Sequence, residues 1–420
     1  MNSTAVHLKL AEAVRALSAE AVNLLVNLVK IPSVNHPPHG DEIAVQEFYH
    51  AYLLQHGLES KIIEPSAIPA FSRHPARLPE HDMTGRPNVT ATIKGAGKGR
   101  SLLVLAHADT EVIGDYDKWT DDPFSGALRN GRVYGRGSGD DKSGMAIAAI
   151  LPLALRQAGI RLCGDLTIAA VADEEQGGAN GTAALLASGV KTDAAVYLDG
   201  TNNQAIWNAG LGCGICEIII SADFTQAIET AADNIRKIVI GQKETIQKAI
   251  CDHPSFGNDF FREIMAGHFF NINSSRPDSH SLKLSFVMDT LPGDDEDLLK
   301  KHFEEKLSAQ SYPGVKIKTA WMSRFLKPAQ LSPKHPLVAE LARAFKMATH
   351  LQALVSPGCQ SDQGIVSHYG RIPCVLFGCG RRGKEGAPHL PNEYIRIDEF
   401  LENLLTTVTF AANWCGTEAA

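Results

Sequence analysis

The sequence predicts an α/β protein with a mixed central sheet and helices on both faces, into which a smaller α+β unit is inserted. Two observations carry this. Short aliphatic runs, apolar on both faces as strands inside a covered sheet are, alternate with amphipathic stretches of helical spacing. Between roughly 214 and 325 that alternation gives way to a different order of elements.

The buried-strand candidates are Leu102–Ala106, Leu166–Ala172, Ala194–Leu198 and Ile372–Phe377. Helices are expected over Ser143–Ala158, directly after an acidic pair, and over Gly181–Ser188. Two more follow near the C-terminus, Pro336–Ala348 and Asp398–Ala411, the last opened by a capping Asp. The middle segment reads as strand Gly214–Ser221, helix Thr225–Ile238, strand Ser281–Met288, helix Asp294–Ser308 and strand Val315–Trp321. This order implies one domain built from two segments, residues 1–213 and 326–420, with a smaller α+β unit inserted over 214–325.

Composition excludes several function classes. A chain of 420 residues is long enough for two or three domains. A net charge of −7 offers no basic surface to a phosphate backbone, so nucleic acid is not an expected partner. The longest near-apolar stretch, Met145–Leu155, falls far short of the ~20 residues needed to cross a bilayer. The opening MNSTAVHLKLAEAVRAL has helical spacing but no apolar leader core, which makes a cytoplasmic location the expectation. Cys213 and Cys216 form a CxxC without a second pair, and their surroundings read as a buried strand start. GRGSGDDKSG is Gly-rich, but Asp141 stands where a phosphate loop needs Gly before Lys, and no Gly-x-Ser-x-Gly occurs anywhere.

The strongest pattern lies at the strand ends, where open α/β sheets bind their ligands. Leu102–Ala106 runs into His107 and Asp109, Leu166–Ala172 into Asp173, Glu174 and Glu175, and Ala194–Leu198 into Asp199. Ile372–Phe377 leads through a Gly-rich loop to His389, and Asp140–Asp141 precede the Ser143 helix. Two histidines and several carboxylates on one rim suit Zn²⁺ first and Mn²⁺ or Co²⁺ next, and the number of acids fits two ions better than one. His36, His39, His74 and His81 lie in Pro-rich loops and are assigned no role.

LVLAHADT, KWTDDPFSG with NGRVYGRGSGDDKSG, VADEEQGG and GAPHLPNEYI resemble motifs of the co-catalytic zinc exopeptidases and deacylases, a family that includes aminoacylase, acetylornithine deacetylase, succinyl-diaminopimelate desuccinylase and glutamate carboxypeptidase. LLVNLVKIPSVN is similar to that family's first helix and turn. The resemblance covers about 20–213 and 350–410. It implies a phosphorylase/hydrolase-like catalytic domain with a dimerisation-type lid. It further implies Asp140 as a carboxylate bridging two divalent metals, with His107 and Asp199 completing one site and Glu175 and His389 the other. Asp109 would orient His107, Glu174 would be the general base, and the Asp140–Asp141 peptide would be cis. The implied partner is a small-molecule amide or peptide, and a homodimer is compatible with the resemblance.

The inserted segment departs from the family pattern. No histidine occurs between Gly214 and Asp252, where the family carries one. Asp289 stands in place of an arginine before the Leu-Pro-Gly turn, and Gly364 in place of another in GCQSDQG. His253, His268 or His280 are candidate replacements for the histidine, and Arg381 and Arg382 for contacts to a substrate carboxylate. Two functions follow: a two-metal hydrolase of a small N-acyl amino acid, dipeptide or related amide, or a non-hydrolytic metal-binding relative serving as a ligand-binding or regulatory protein. The presence of Glu174 argues for the hydrolase.

Overall fold

Leu102–Ala106 and Leu166–Ala172 hold Val, Ile, Leu and Ala at successive positions, so only a sheet covered on both sides accommodates them. The structure, a computed structural model, describes residues 3–200, 205–265, 272–380 and 385–418. It divides into two compact units. One comprises Met1–Asn208, Leu331–Val355 and Ile365–Ala420, the other Ala209–Gln330 and Ser356–Gly364.

The strands of the main sheet that bear on the site are β1 (Ser60–Ile63), β2 (Asn88–Ile93), β3 (Leu102–His107), β4 (Leu166–Val171), β5 (Ala194–Tyr197), β6 (Ala205–Gly210) and β7 (Cys374–Leu376). Their order across the sheet is β6-β7-β5-β3-β4-β2-β1. The four central strands, β7, β5, β3 and β4, run parallel, while β6, β2 and β1 pair antiparallel with their neighbours. Parallel pairing brings the C-terminal ends of β3, β4, β5 and β7 to one edge. The loops bearing the acids and histidines therefore start side by side.

The helices of this unit are α1 (Ser3–Val29), α2 (Ile43–Gln55), α3 (Lys142–Gln157), α4 (Asn180–Ala187), α5 (Pro336–Thr349) and α6 (Ile397–Cys415). Every residue of α3 from Lys142 to Leu155 is buried. It packs against β3, α1 and α6, which is why Met145–Leu155 is apolar on all faces. The Asp141 carboxylate begins this helix. One oxygen accepts the Gly144 N–H at 3.1 Å and the other accepts the His107 N–H at 3.2 Å, joining the end of β3 to the start of α3. A Cβ on Gly144 would lie 2.3 Å from that carboxylate, so only glycine lets the cap close.

The second unit has a four-stranded antiparallel sheet in the order Ile272–Asp278, Ser281–Thr290, Gly212–Ala222, Val315–Trp321. Its core joins Ile218, Ile220, Leu284 and Phe286 of the sheet to Ile228 and Ile235 of helix Thr225–Asp252 and Phe303 of helix Glu296–Ser308. The first of these helices runs fourteen residues past the expected end at Ile238. The buried stripe continues through Val239, Gln242, Lys243 and Ile250, and two polar residues at its centre break the apolar signal. Strand Ile272–Asp278 was not expected either. It is an exposed, polar edge containing Pro277, without the alternation that marks half-buried strands. Among the described residues no helix is long and apolar enough to cross a membrane.

Candidate metal centre

β3 ends in His107, which is fully buried. Its Nε2 lies 2.9 Å from Asp140 Oδ1 and its Nδ1 2.9 Å from the backbone carbonyl of Asp109. The Asp109 carboxylate stands 3.6 Å from Nδ1, and its oxygens also accept the N–H groups of Glu174 (3.1 Å) and Glu175 (2.9 Å) and the Asn35 amide (2.8 Å). Asp109 thus fixes the two glutamates after β4 as well as facing His107.

The other oxygen of Asp140, Oδ2, lies 3.3 Å from His389 Nε2, which is also 3.3 Å from Glu175 Oε1. One carboxylate therefore offers a separate oxygen to each of two imidazoles. Two compact donor groups result, His107–Asp140–Glu175 and Glu111–Glu175–His389. Glu174 Oε2 is 4.0 Å from His107 Nε2. Asp199, just past the end of β5, is buried and accepts the Gly200 N–H at 2.5 Å. It lies outside both compact groups, although its charge is felt at Asp141. Burial first, and then the charges of Asp199 and Asp140, hold the Asp141 carboxyl well above its ordinary range, against the pull of His107. The Asp140–Asp141 peptide is cis.

The electrostatics suit cations. Burial alone would lower both imidazoles, but the surrounding carboxylates outweigh it. Asp109 and Asp140 hold His107 well above the usual histidine range, as Glu175 and Asp140 do for His389. The nearby basic side chains are committed elsewhere. Burial pulls the Lys142 amine down to about 7, and it donates to the Ile31 carbonyl at 2.5 Å. Arg136 is paired with Glu393 at 2.7 Å. A largely buried set of acids with one buried imidazole, His107, one exposed imidazole, His389, and no excess of fixed positive charge is a donor set that fits divalent metals. His107, Asp140, Glu175, His389 and Glu111 are the side chains so placed.

Sequence reasoning missed the groups that hold these loops. Glu393 Oε1 accepts the Gly139 N–H at 2.9 Å, and its partner Arg136 also donates to the Val112 carbonyl at 3.0 Å, so one buried pair ties the loops before Asp140 and after His389 to the segment bearing Glu111. The Trp119 indole lies under Arg136, 5.3 Å away, and donates to Ile113. The loop after β4 is held left-handed at three non-glycine residues, Asp173 (φ 61°), Gln176 (φ 60°) and Ala179 (φ 62°). Asp173 is fixed by Arg86 at 2.9 Å and by His81 at 2.8 Å. No sequence signal marked His81 or Arg86, because their partners Asp173 and Glu42 lie tens of positions away along the chain.

The remaining candidates fall as follows. Arg381, Arg382 and His268 lie outside the described residues. His253 follows the long helix of the second unit, its Nδ1 accepting the Ser255 N–H, and His280 sits exposed in a strand turn. Asp289, in the same unit, is buried and accepts a hydrogen bond from the Gln360 amide. At Gly364 a Cβ would come 1.7 Å from the Lys327 carbonyl, so this backbone has no room for the arginine of the family pattern. Cys213 and Cys216 are buried thiols, and burial pushes Cys216 up to about 12.

Comparisons with known proteins converge on one group. A family model described as Peptidase family M20/M25/M40 matches residues 103–413. The chain is 24% identical over 368 residues, 79% of its length and 84% of the relative's, to N-formyl-4-amino-5-aminomethyl-2-methylpyrimidine deformylase of Bacillus subtilis. Among solved structures it shares the fold of a di-peptidase from Saccharomyces cerevisiae, with a TM-score of 0.73 at 16% identity over 98% of this chain and 99% of the other. It is similar also to a Bacillus subtilis protein described as a dinuclear metal binding peptidase, with a TM-score of 0.58 at 16% identity over 96% and 100% of the two chains.

Proposed function

The chain belongs to peptidase family M20/M25/M40, and from that premise we propose that it hydrolyses the amide bond of a small N-acyl amino acid, dipeptide or related amide, using two divalent cations with zinc foremost. The observation that carries this reading is Asp140, one oxygen toward His107 and the other toward His389. His107, Asp140 and Asp199 would hold one ion, and Asp140, Glu175 and His389 the other, with Glu111 beside the second.

Bound ions of this kind polarise a carbonyl oxygen and bring the pKa of water to roughly 7. The chain's residues do the rest. Glu174, held by its N–H on Asp109, takes the proton of the attacking water and returns it to the departing amine, a role typically worth ~10²–10⁴ in rate. Asp109 keeps His107 oriented and sets the height of the Glu174–Glu175 backbone. Arg136 and Glu393 hold the Asp140 and His389 loops in register.

The second reading, a metal-binding relative without hydrolysis, predicts no need for a base. Glu174 at 4.0 Å from His107 favours hydrolysis. The test is a mass-spectrometric screen of N-formyl amines and N-formyl, N-acetyl and N-succinyl amino acids together with dipeptides, each with Zn²⁺, Mn²⁺ or Co²⁺. The deformylase relative puts N-formyl compounds first in that panel. Turnover of at least one class is expected. Two bound metals with no turnover across the panel would favour the binding protein.

A further inference from the structure

Asp173 is completely buried and immediately precedes Glu174 and Glu175. Two hydrogen bonds converge on one oxygen, Oδ1, from His81 Nδ1 at 2.8 Å and Asn35 Nδ2 at 3.3 Å, and the Arg86 guanidinium adds an ion-pair contact at 2.9 Å. Arg86, itself buried, uses Nε and Nη2 on Glu42, and Glu42 accepts the Asp173 N–H at 3.2 Å. The Asp173 carbonyl accepts the Ala179 N–H and so closes the left-handed loop. Arg86 is shared with Glu42, and the Asn35 amide with Asp109 and the Glu175 carbonyl, so His81 makes the shortest contact to this carboxylate. His81 also lines a cavity of about 540 Å³, together with Pro65, Phe71, Arg77 and Met83.

We propose that His81 is a positioning residue: through Asp173 it fixes the loop that aims Glu174, although it touches neither metal ligand nor substrate. This rests on the proposed role of Glu174 in hydrolysis. A backbone displaced by about 1 Å at a reacting group can cost on the order of 10²-fold in rate. Losing one of the two side-chain donors to the Asp173 carboxylate should therefore lower kcat without weakening substrate binding.

The test uses the zinc-loaded protein and its His81→Ala, His81→Asn and His81→Gln variants, with His36→Ala as a surface control. For a substrate from the panel, His81→Ala is expected to lower kcat about tenfold or more, with KM within twofold and metal content unchanged. Asparagine can place an amide N–H where Nδ1 stands and should recover most of the rate, whereas glutamine should not. Imidazole, entering from the adjoining cavity, should raise the rate of His81→Ala saturably but not that of the wild type. Hydrogen exchange supplies a readout that needs no substrate: amides of residues 172–180 should exchange faster in His81→Ala, with the rest of the chain unaltered. Wild-type rate and unchanged exchange in His81→Ala would overturn the proposal, as would asparagine and glutamine variants of equal rate. Should His81→Ala fail to fold, the asparagine–glutamine comparison decides. If the wild type turns over nothing in the panel, the hydrolytic reading fails, and exchange over residues 172–180 still decides the positioning one.

Discussion

Arg136→Met tests whether the buried Arg136–Glu393 pair anchors the metal loops. Both side chains are essentially inaccessible, and the guanidinium donates to Glu393 at 2.7 Å, to the Val112 carbonyl at 3.0 Å and to the Leu390 carbonyl at 3.4 Å. Methionine keeps much of the volume but removes all three bonds and leaves a carboxylate buried with only the Gly139 N–H. Breaking one partner of such a pair costs ~3–5 kcal/mol, whereas replacing both partners is much milder. For a domain of this size that corresponds to a fall in Tm of roughly 6 °C or more. The assay is denaturant and thermal unfolding of the metal-free protein for Arg136→Met, Glu393→Gln and the double variant. The double variant should be more stable than the sum of the single losses by over ~1 kcal/mol, as expected for contacting residues. Single losses that add to within ~0.5 kcal/mol would refute the reasoning and reduce Arg136 to packing. Glu393, no longer held by Arg136, anchors the Gly139 N–H next to Asp140 less firmly, and metal affinity should fall in the same variants.

Glu174→Gln should reduce kcat by ~10²–10⁴ with metal content unchanged by elemental analysis, while His107→Ala should lose metal as well as rate; a Glu174→Gln variant with normal turnover would remove that residue from its role. Asp289 gives a pH prediction. Burial, opposed by Lys243 and Gln360, raises it from 3.8 to about 6, so the folded state holds a proton that the unfolded state has released between those values. Its burial is therefore a cost that is absent below pH 4, grows as pH rises through the window and reaches ~3 kcal/mol above pH 6. Asp289→Asn should gain stability relative to wild type as pH rises from 4 to 6, and parallel stability curves would contradict this. Gly364→Ala should destabilise by ~1–3 kcal/mol through its clash with the Lys327 carbonyl, measured by unfolding midpoint.

Much of the first unit was legible because its strands are covered on both faces. Leu102–Ala106 and Leu166–Ala172 match β3 and β4 to within one residue at their ends, and the loops that follow them bring His107 and Glu175 near Asp140, with His389 beside Asp140 and Glu175. Glu111 escaped notice because it follows no strand directly and joins the cluster through the loop that Arg136 holds. The network of Asn35, Glu42, His81, Arg86 and Asp173 was invisible for another reason. Its members are spaced along the chain without any period, and buried ion pairs leave no pattern in a linear sequence. In the second unit the long helix was cut short by Gln242 and Lys243, polar residues on a buried face, the former accepting a hydrogen bond from Lys306.

Asp173, Gln176 and Ala179 share one short loop, all with positive φ. Glycine at any of them would relax a local penalty of ~1 kcal/mol, yet it would also enlarge the disordered ensemble that folding must collapse, by a comparable amount. Heat-hardening schemes that exchange loop residues for glycine or for stiffer alternatives should therefore find this turn unresponsive. Proline is barred outright by the sign of the torsion. Durable gains would have to come from distant helices and surfaces, leaving the catalytic neighbourhood as natural drift has shaped it.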